Sequence, residues 1–194
     1  MEQIRQRRFT ADEFIAWAME QPSGRYELVD GVVYTMAPER VNHSRVKFDA
    51  AMALHAAIKA SGVPCEALID GVGVQVDDRT LYEPDVMVRC GPYAPGEAVK
   101  VNDPVIVVEV ISPSSGRIDS GVKLEGYFSL PSVRHYLVVN SRSRVVTHHR
   151  RDDAGAIAVR LLRDGVLALD PPGIEVAVAD LFASIPPETD TASA

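Results

Sequence analysis

The sequence of 194 residues has little cysteine, and it lacks any hydrophobic run long enough to cross a bilayer. A membrane-spanning helix needs about 20 consecutive apolar residues, so we expect a protein without a membrane anchor. The basic N-terminus is not followed by an apolar segment, which argues against a secretory signal. The two cysteines, Cys65 and Cys90, lack the short spacing of a metal motif. We therefore expect reduced thiols and a cytoplasmic location, with one disulfide between the two cysteines as an alternative that the sequence does not suggest.

Positive charge is also in short supply, because the formal net charge at pH 7 is −7. Proteins that bind nucleic acid without sequence preference make many lysine and arginine contacts to phosphate, so this charge is unfavourable to that class. It does not exclude an enzyme that acts on DNA. A metal-dependent nuclease needs acidic ligands, and these lower the net charge by themselves. DNA therefore stays open as a partner.

The length and the ordinary composition predict a single domain over residues 1–194. Its core is expected over about 10–182, and the tail at 184–194 is expected to be disordered. The sequence contains no repeat, and helical patterns alternate with strand patterns along it. These features predict an α/β fold in which helices flank a central mixed sheet.

Local signals place the individual elements. Thr10 and Glu13 form a capping box, which predicts a helix from Ala11 to about residue 21. The pair Asp30-Gly31 predicts the turn of a hairpin between strands at 26–29 and 32–36. Further helices are predicted over about 42–62 and 119–130, and further strands at 65–69, 72–76, 82–88, 105–111, 135–139, 145–150 and 156–162.

The predicted strand Val105–Ile111 is apolar except for one carboxylate, Glu109. Because side chains alternate along a strand, Glu109 shares a face with Val107, toward a covered side of the sheet. An unpaired carboxylate costs several kcal/mol in such a place. Glu109 therefore needs a salt bridge to a lysine or arginine, a metal ion or strong hydrogen bonds.

A second acidic residue, Asp85, interrupts the preceding predicted strand. The dipeptide Pro84-Asp85 is by itself typical of a turn or of a strand's first residues. If the two strands are neighbours, however, Asp85 and Glu109 meet at one edge of the sheet. Such a pair of carboxylates either binds a hard cation such as Mg²⁺ or works as an acid–base pair.

The third predicted helix carries Asp119, Lys123 and Tyr127 at intervals of four residues, close to one face. One interpretation is an exposed Asp119–Lys123 pair, worth a few tenths of a kcal/mol. The functional interpretation is that Lys123 reaches back over the strand end toward Glu109.

Taken together, these segments resemble a known family, the Uma-type family of restriction-endonuclease-like proteins within the PD-(D/E)XK nuclease superfamily. The resemblance covers about residues 10–182 and implies a restriction-endonuclease-like core with an N-terminal helix and β-hairpin. The pattern that carries it consists of Tyr26–Gly31, Met36–Pro38, His43, Pro84–Val86, Val107–Ser115, the Asp119, Lys123 and Tyr127 spacing, and Val133–Val139.

The resemblance implies a metal-dependent nuclease that hydrolyses DNA phosphodiester bonds. Asp85, Glu109 and the main-chain carbonyl of Val110 would hold one Mg²⁺ or Mn²⁺, which lowers the pKa of a bound water. Lys123 would orient or deprotonate the attacking water, and Glu27 matches an acidic residue that the superfamily often adds to the metal site. The residues implied at the edge of the site are His43, Asp119 and Tyr127.

The sequence departs from the superfamily motif at Ile111, which occupies the position expected for lysine. The resemblance implies that this function has moved to Lys123. Two other functions stay open. The chain is either a non-catalytic member that uses the fold for binding or assembly, or a metal-dependent hydrolase of a smaller phosphoester. A homodimer would suit a nuclease that must act on two strands.

Overall fold

The computed structural model describes residues 2–3, 8–111 and 118–186. Within these residues the chain forms three α-helices: α1 (Ala11–Met19), α2 (Val41–Ser61) and α3 (Ile118–Ser129). A short 3-10 helix follows at Val178–Phe182. None of the described helices is both long and apolar enough to cross a membrane.

The described strands lie in two six-stranded sheets and one separate hairpin. The first sheet has the order β1-β3-β2-β6-β5-β8, the central sheet has the order β12-β11-β10-β9-β7-β4, and β13 pairs with β14. In chain order the strands are β1 (Glu2–Gln3), β2 (Tyr26–Val29), β3 (Val32–Thr35), β4 (Cys65–Ile69), β5 (Gly73–Asp77), β6 (Thr80–Tyr82), β7 (Val86–Cys90), β8 (Lys100–Val101), β9 (Pro104–Ile111), β10 (His135–Asn140), β11 (Val145–Arg151), β12 (Ile157–Leu162), β13 (Val166–Leu169) and β14 (Ile174–Ala177).

The central sheet is mixed, because β9 and β10 run parallel while its other neighbouring strands run antiparallel. Parallel neighbours need a crossover connection, and α3 lies in the connection between these two strands. The sheet is apolar on both faces. Helix α2 covers one face, whereas α3 and the first sheet cover the other. The predicted α/β class with a central mixed sheet is confirmed.

Several elements start where local chemistry predicts. Thr10 and Glu13 form the capping box at α1, with the Glu13 amide donating to Thr10 Oγ1 over 3.3 Å. Gly62 ends α2 in the left-handed conformation, with φ of 65°, and its N–H donates to the Ile58 carbonyl over 3.0 Å. Glycine adopts this backbone conformation at little cost, so α2 stops here.

The strand predicted over 82–88 is wrong as a single element. It divides at Pro84, with β6 in the first sheet and β7 in the central sheet. Proline has no N–H to donate to a ladder, so the strand breaks at this position. For the same reason the chain passes from one sheet to the other at Glu83–Asp85. The strands β4 and β5, which flank Asp70-Gly71, also belong to different sheets.

The prediction of two reduced thiols is wrong. Cys65 on β4 and Cys90 on β7 are directly opposite each other in an antiparallel pair and form a disulfide. The two residues are separated by 25 positions, so they meet only because their strands are neighbours in the sheet. A search for short cysteine spacing does not detect a bond of this kind.

Two buried histidines link β10, β11 and the loop before β14. The ring atoms His135 Nδ1 and His148 Nε2 are 2.9 Å apart, and His135 Nε2 is 3.0 Å from the Pro171 carbonyl. The pKa of each histidine is lowered to about 4, mainly by burial and in part by the charge of the nearby Arg150. The fold therefore contains both imidazoles in their neutral form at neutral pH.

We expect the free energy of unfolding to fall as the pH is lowered from 6.5 to 4. Between these values the unfolded chain binds protons at His135 and His148, whereas the native state does not. Acid therefore favours unfolding, and the free energy of unfolding should fall by about 2–4 kcal/mol in total. Urea unfolding at each pH measures the effect. His148→Gln should flatten the slope, whereas His55→Gln, at an exposed position, should leave it unchanged. A wild-type slope of zero in this range would contradict the prediction.

Candidate functional site

Two carboxylates, the buried Glu27 and the partly buried Glu109, converge on one lysine at the end of β9. Glu27 of β2 and Lys123 of α3 are 1% and 5% exposed. Lys123 Nζ lies 2.8 Å from Glu27 Oε1 and 3.0 Å from Glu109 Oε1. The helix that follows β9 thus returns its lysine to the strand end, as the functional interpretation of the sequence expects. Lys123 thus places a positive charge beside both Glu27 and Glu109.

Tyr127 completes this group, which we call the Lys123 cluster (Glu27, Glu109, Lys123 and Tyr127). Its hydroxyl donates to Glu109 Oε1 over 2.8 Å, and its ring is fully buried. Burial raises the pKa of Glu109 to about 8, with contributions from the charges of Asp85 and Glu27, while Lys123 acts in the opposite direction. Near neutral pH, and without a further cation, Glu109 therefore holds its proton.

Asp85 lies beside this cluster but has its own partners. It is 4% exposed, and the Val110 amide donates to Asp85 Oδ2 over 2.6 Å. Lys47 Nζ is 3.1 Å from Asp85 Oδ1, and His43 Nε2 is 3.4 Å from Asp85 Oδ2. Burial acts to raise the pKa of Asp85, but the His43 hydrogen bond, the Lys47 charge and the Val110 amide together lower it. Asp85 is therefore ionised at neutral pH.

Main-chain hydrogen bonds connect Glu27 and Asp85 through one short segment. The segment Glu83–Asp85 crosses between the sheets, and the Glu83 amide donates to Glu27 Oε1 over 2.9 Å. Asp85, two residues further on, accepts from Val110, the residue after Glu109. The crossing segment therefore joins the ends of β2, β7 and β9 at one point.

Lys47 and Arg25 form an outer layer of cations that the sequence did not identify. Lys47 Nζ contacts Glu39 Oε1 at 2.7 Å and Asp70 Oδ2 at 2.8 Å, besides its contact to Asp85. Arg25 contacts the same Glu39 and Asp70 oxygens, at 2.7 and 3.1 Å, and Glu83 Oε1 at 2.6 Å. The one local signal for Lys47 is that it follows His43 by four residues, which places both on one helix face.

Three side chains at this point could share a metal ion. Ligand atoms of Glu39, His43 and Asp85 all lie within 4.8 Å of one another. The Lys47 ammonium contacts two of the three, so a cation already occupies this position. Asp85 is common to this group and to the set predicted from the sequence. The sequence did not identify Glu39, whose oxygen reaches Asp85 only because the chain folds back before α2.

Val110 and Asp119 are the remaining residues that the sequence predicted at the site, and Ile111 is the position where the superfamily has lysine. The peptide of Val110 lies at the site, where its N–H faces Asp85; a ligand role for its carbonyl stays a prediction. The side chain of Asp119 lies outside the described residues, so its place at the edge of the site also stays a prediction. Ile111 contacts the apolar cluster around Val107 and Tyr127 rather than the carboxylates.

A surface cavity of about 430 Å³ borders the outer layer of cations. Arg25, Asp70 and Glu83 form its polar side, and α1 contributes Phe14 and Ile15 to its apolar side. Cavities of this size hold small organic groups, usually by apolar walls with a few polar atoms. Glu27, Asp85 and Glu109 are not among the residues that line this cavity.

Comparison with known proteins agrees with the sequence resemblance. The model of the Uma2 family, described as "Putative restriction endonuclease", matches residues 11–181. An uncharacterized protein of Synechocystis sp. is 28% identical over 179 residues, which are 90% of this chain and 92% of that protein. A second uncharacterized protein of the same organism is 23% identical over 145 residues, 73% of this chain and 80% of its own length.

A solved structure shares the fold. It is described as a "putative nuclease belonging to DUF820" from Anabaena variabilis. It superposes with a TM-score of 0.72 at 15% identity and covers 90% of this chain and 98% of its own. At this identity the likeness concerns the fold alone, which is nuclease-like. The match of the family model to residues 11–181, most of the chain, shows that this protein belongs to the Uma2 family.

Proposed function

We propose that this protein is a nuclease that uses Mg²⁺ or Mn²⁺ to hydrolyse DNA phosphodiester bonds. The observation that carries the proposal is the convergence of Glu27, Asp85 and Glu109 at the end of β9, beside a buried lysine. Carboxylates are costly to bury, and a fold that needed only packing would place apolar side chains there. The family's description as a restriction endonuclease supports the same reaction.

The side chains present fit a divalent ion that would displace the Lys47 ammonium from Glu39 and Asp85. Carboxylate oxygens are the ligands that Mg²⁺ prefers, and an imidazole such as that of His43 suits Mn²⁺ as well. Asp85 would be the central ligand, because its carboxylate is close to the ligand atoms of Glu39 and His43 and its charge also acts on Glu109. When bound, the ion would withdraw charge from the phosphoryl group and lower the pKa of a coordinated water.

The protein's own residues would position the reacting groups. The Val110 amide and Lys47 hold Asp85 in one orientation, so its oxygens are set before substrate arrives. Lys123 and Tyr127 hold Glu109 through the same oxygen, Oε1. Lys123 would also offset negative charge that develops on phosphorus, since its ammonium is confined in a poorly hydrated place. The energetic contribution of such charges is large where water is excluded.

A second candidate function has an observation in its favour. The net charge is −7, and Lys47 and Arg25 are already engaged by Glu39, Asp70 and Glu83. These ion pairs leave Lys47 and Arg25 with little charge to offer a phosphate backbone. A non-catalytic member that uses the fold for binding or assembly agrees with this arrangement, and the experiment below separates the two functions.

Glu109→Gln tests the proposed metal site with little change of shape. The amide can still accept from Tyr127, so we expect a folded protein that has lost metal-dependent DNA cleavage on the order of 100-fold or more. Calorimetry with Mn²⁺ should show weaker binding in the same variant. Glu97→Gln, which makes the same change at an exposed position, is the control and should behave as the wild type.

Cleavage by the wild type should stop when a chelator removes the ion and return when Mg²⁺ or Mn²⁺ is added. Absence of Mn²⁺ binding to the wild type at millimolar concentrations would overturn the nuclease proposal in favour of the non-catalytic function. Metal binding without cleavage of DNA, but with hydrolysis of a small phosphodiester, would instead indicate a smaller substrate.

A further inference from the structure

The strand β12 forms one edge of the central sheet and exposes apolar side chains there. Ile157, Val159 and Leu161 are 43%, 53% and 73% exposed. They alternate along the strand, so they share one face of the sheet. In the part of the chain that the structure describes, no strand pairs with the outer side of β12. Both its outer backbone groups and one apolar face are therefore available to a partner.

The register shows which face this is. Leu161 lies opposite Thr147, which lies opposite Val138, and Val159 lies opposite His149, which lies opposite Tyr136. Tyr136 and Val138 belong to the core beneath α3 and the first sheet. The exposed stripe thus lies on the same face of the sheet as this core and is separated from it by Thr147 and His149 of β11.

Edge strands usually carry features that prevent pairing with another chain, such as proline, bulges or several charges. The six residues of β12 include no proline, and their register with β11 is continuous. Their one charged side chain is Arg160. The other end of the central sheet differs, because β4 there is joined to β7 by the disulfide and contacts α2. The strand β12 is the less protected edge.

We propose that β12 pairs antiparallel with β12 of a second copy of this chain, with Val159 opposite itself on a two-fold axis. In this register Ile157 of each copy faces Leu161 of the other, so six apolar side chains meet on one face. On the opposite face Arg160 lies across from Ala158. A register centred on Arg160 would instead bring two guanidinium groups together, which is unfavourable.

The occupant follows from this self-complementarity. In a two-fold interface the same surface must be complementary to itself. In the proposed register of β12, apolar side chains face apolar side chains and the two Arg160 side chains are kept apart. The surface is small, because one strand of six residues buries much less than the roughly 1,600 Å² of a standard interface. We therefore expect a dimer that dissociates in the micromolar range. This β12 dimer is independent of the proposed nuclease activity.

Sedimentation velocity of the full chain over about 1–200 µM tests the dimer, because this range brackets a micromolar dissociation constant. We expect the wild type to shift from monomer to dimer with concentration. Val159→Lys places two ammonium groups on the axis and should weaken association at least about tenfold. Val166→Lys changes another exposed strand valine, on β13, and should leave association unchanged. A wild type that stays monomeric to the highest concentration would overturn the proposal and leave the edge to a different partner.

Cysteine cross-linking tests the register separately. Val159→Cys should form a covalent dimer on mild oxidation, because the two side chains are opposite each other at the axis. Leu161→Cys should cross-link far less, since its opposite residue in the second copy is Ile157. Efficient linkage through Leu161→Cys without linkage through Val159→Cys would show that the register is wrong. A dimer that Val159→Lys leaves intact would show that β12 is not the interface.

Discussion

Asp85→Asn should abolish metal-dependent cleavage, with a loss on the order of 1,000-fold or more. Asp85 is the one carboxylate shared by the Glu39–His43 group and the Glu109 side of the site, so its removal affects every arrangement of the ion. The amide keeps the shape and can accept from the Val110 amide, but it carries no charge for the metal. Cleavage assays and Mn²⁺ calorimetry on the same preparation measure the two consequences.

The fold should survive this change, because Lys47 keeps its contacts to Glu39 and Asp70. Thermal unfolding checks that the variant is native before activity is compared. Asp78→Asn removes an equal charge from an exposed turn and serves as the control, with wild-type cleavage expected. Activity of Asp85→Asn within tenfold of the wild type would show that Asp85 is not a metal ligand.

Lys123→Met should have the largest effect on stability. Methionine has a similar length but no charge, so Glu27 and Glu109 would stay buried with less compensation. Removing one partner of a buried ion pair costs about 3–5 kcal/mol, and we expect a loss in this range at pH 8. Because the pKa of Glu109 is raised to about 8, its proton is retained at pH 6, and the loss should be smaller there than at pH 9.

Urea unfolding at three pH values measures this loss. Lys59→Met, at an exposed position on α2, is the matched control and should change the free energy of unfolding by less than about 0.5 kcal/mol. The double variant Lys123→Met with Glu27→Gln should recover part of the stability, because one of the two carboxylates that lost the lysine is then replaced by a neutral amide. A loss for Lys123→Met no larger than that of the control would mean that the buried carboxylates do not need the lysine.

The elements of the fold that are determined by residues close together in the sequence could be predicted from it. The capping box at Thr10 set the start of α1, and the turn at Asp30-Gly31 set the hairpin of β2 and β3. The apolar run of β9 identified an interior strand. The first sheet was not predicted as a separate sheet, because its strands β6 and β8 are only three and two residues long and carry too little pattern.

The site could be predicted where an anomaly stood in a clear pattern. Glu109 was conspicuous as a carboxylate in an apolar strand, and the helix spacing brought Lys123 back to it. Lys47 and Arg25 gave no such signal, because charged residues in a helix or before a strand are ordinary. Their partners Asp70 and Glu83 reach them only through the packing of the two sheets. Asp85 and Glu39 are likewise distant in the sequence and come close together only in the folded chain.

The contact between Lys123 and Glu27 has a consequence for folding, because it joins residues 96 positions apart. Closing a loop of that length has an entropic cost that only a nearly complete native structure repays, and such distant contacts are typical of slowly folding chains. Glu27 is made well before α3 as the chain is synthesised from its N-terminus, and Glu109 precedes Lys123 by 14 residues. Until α3 docks, these two carboxylates lack the lysine that the finished protein gives them, so the site cannot be complete before α3 packs on the sheet.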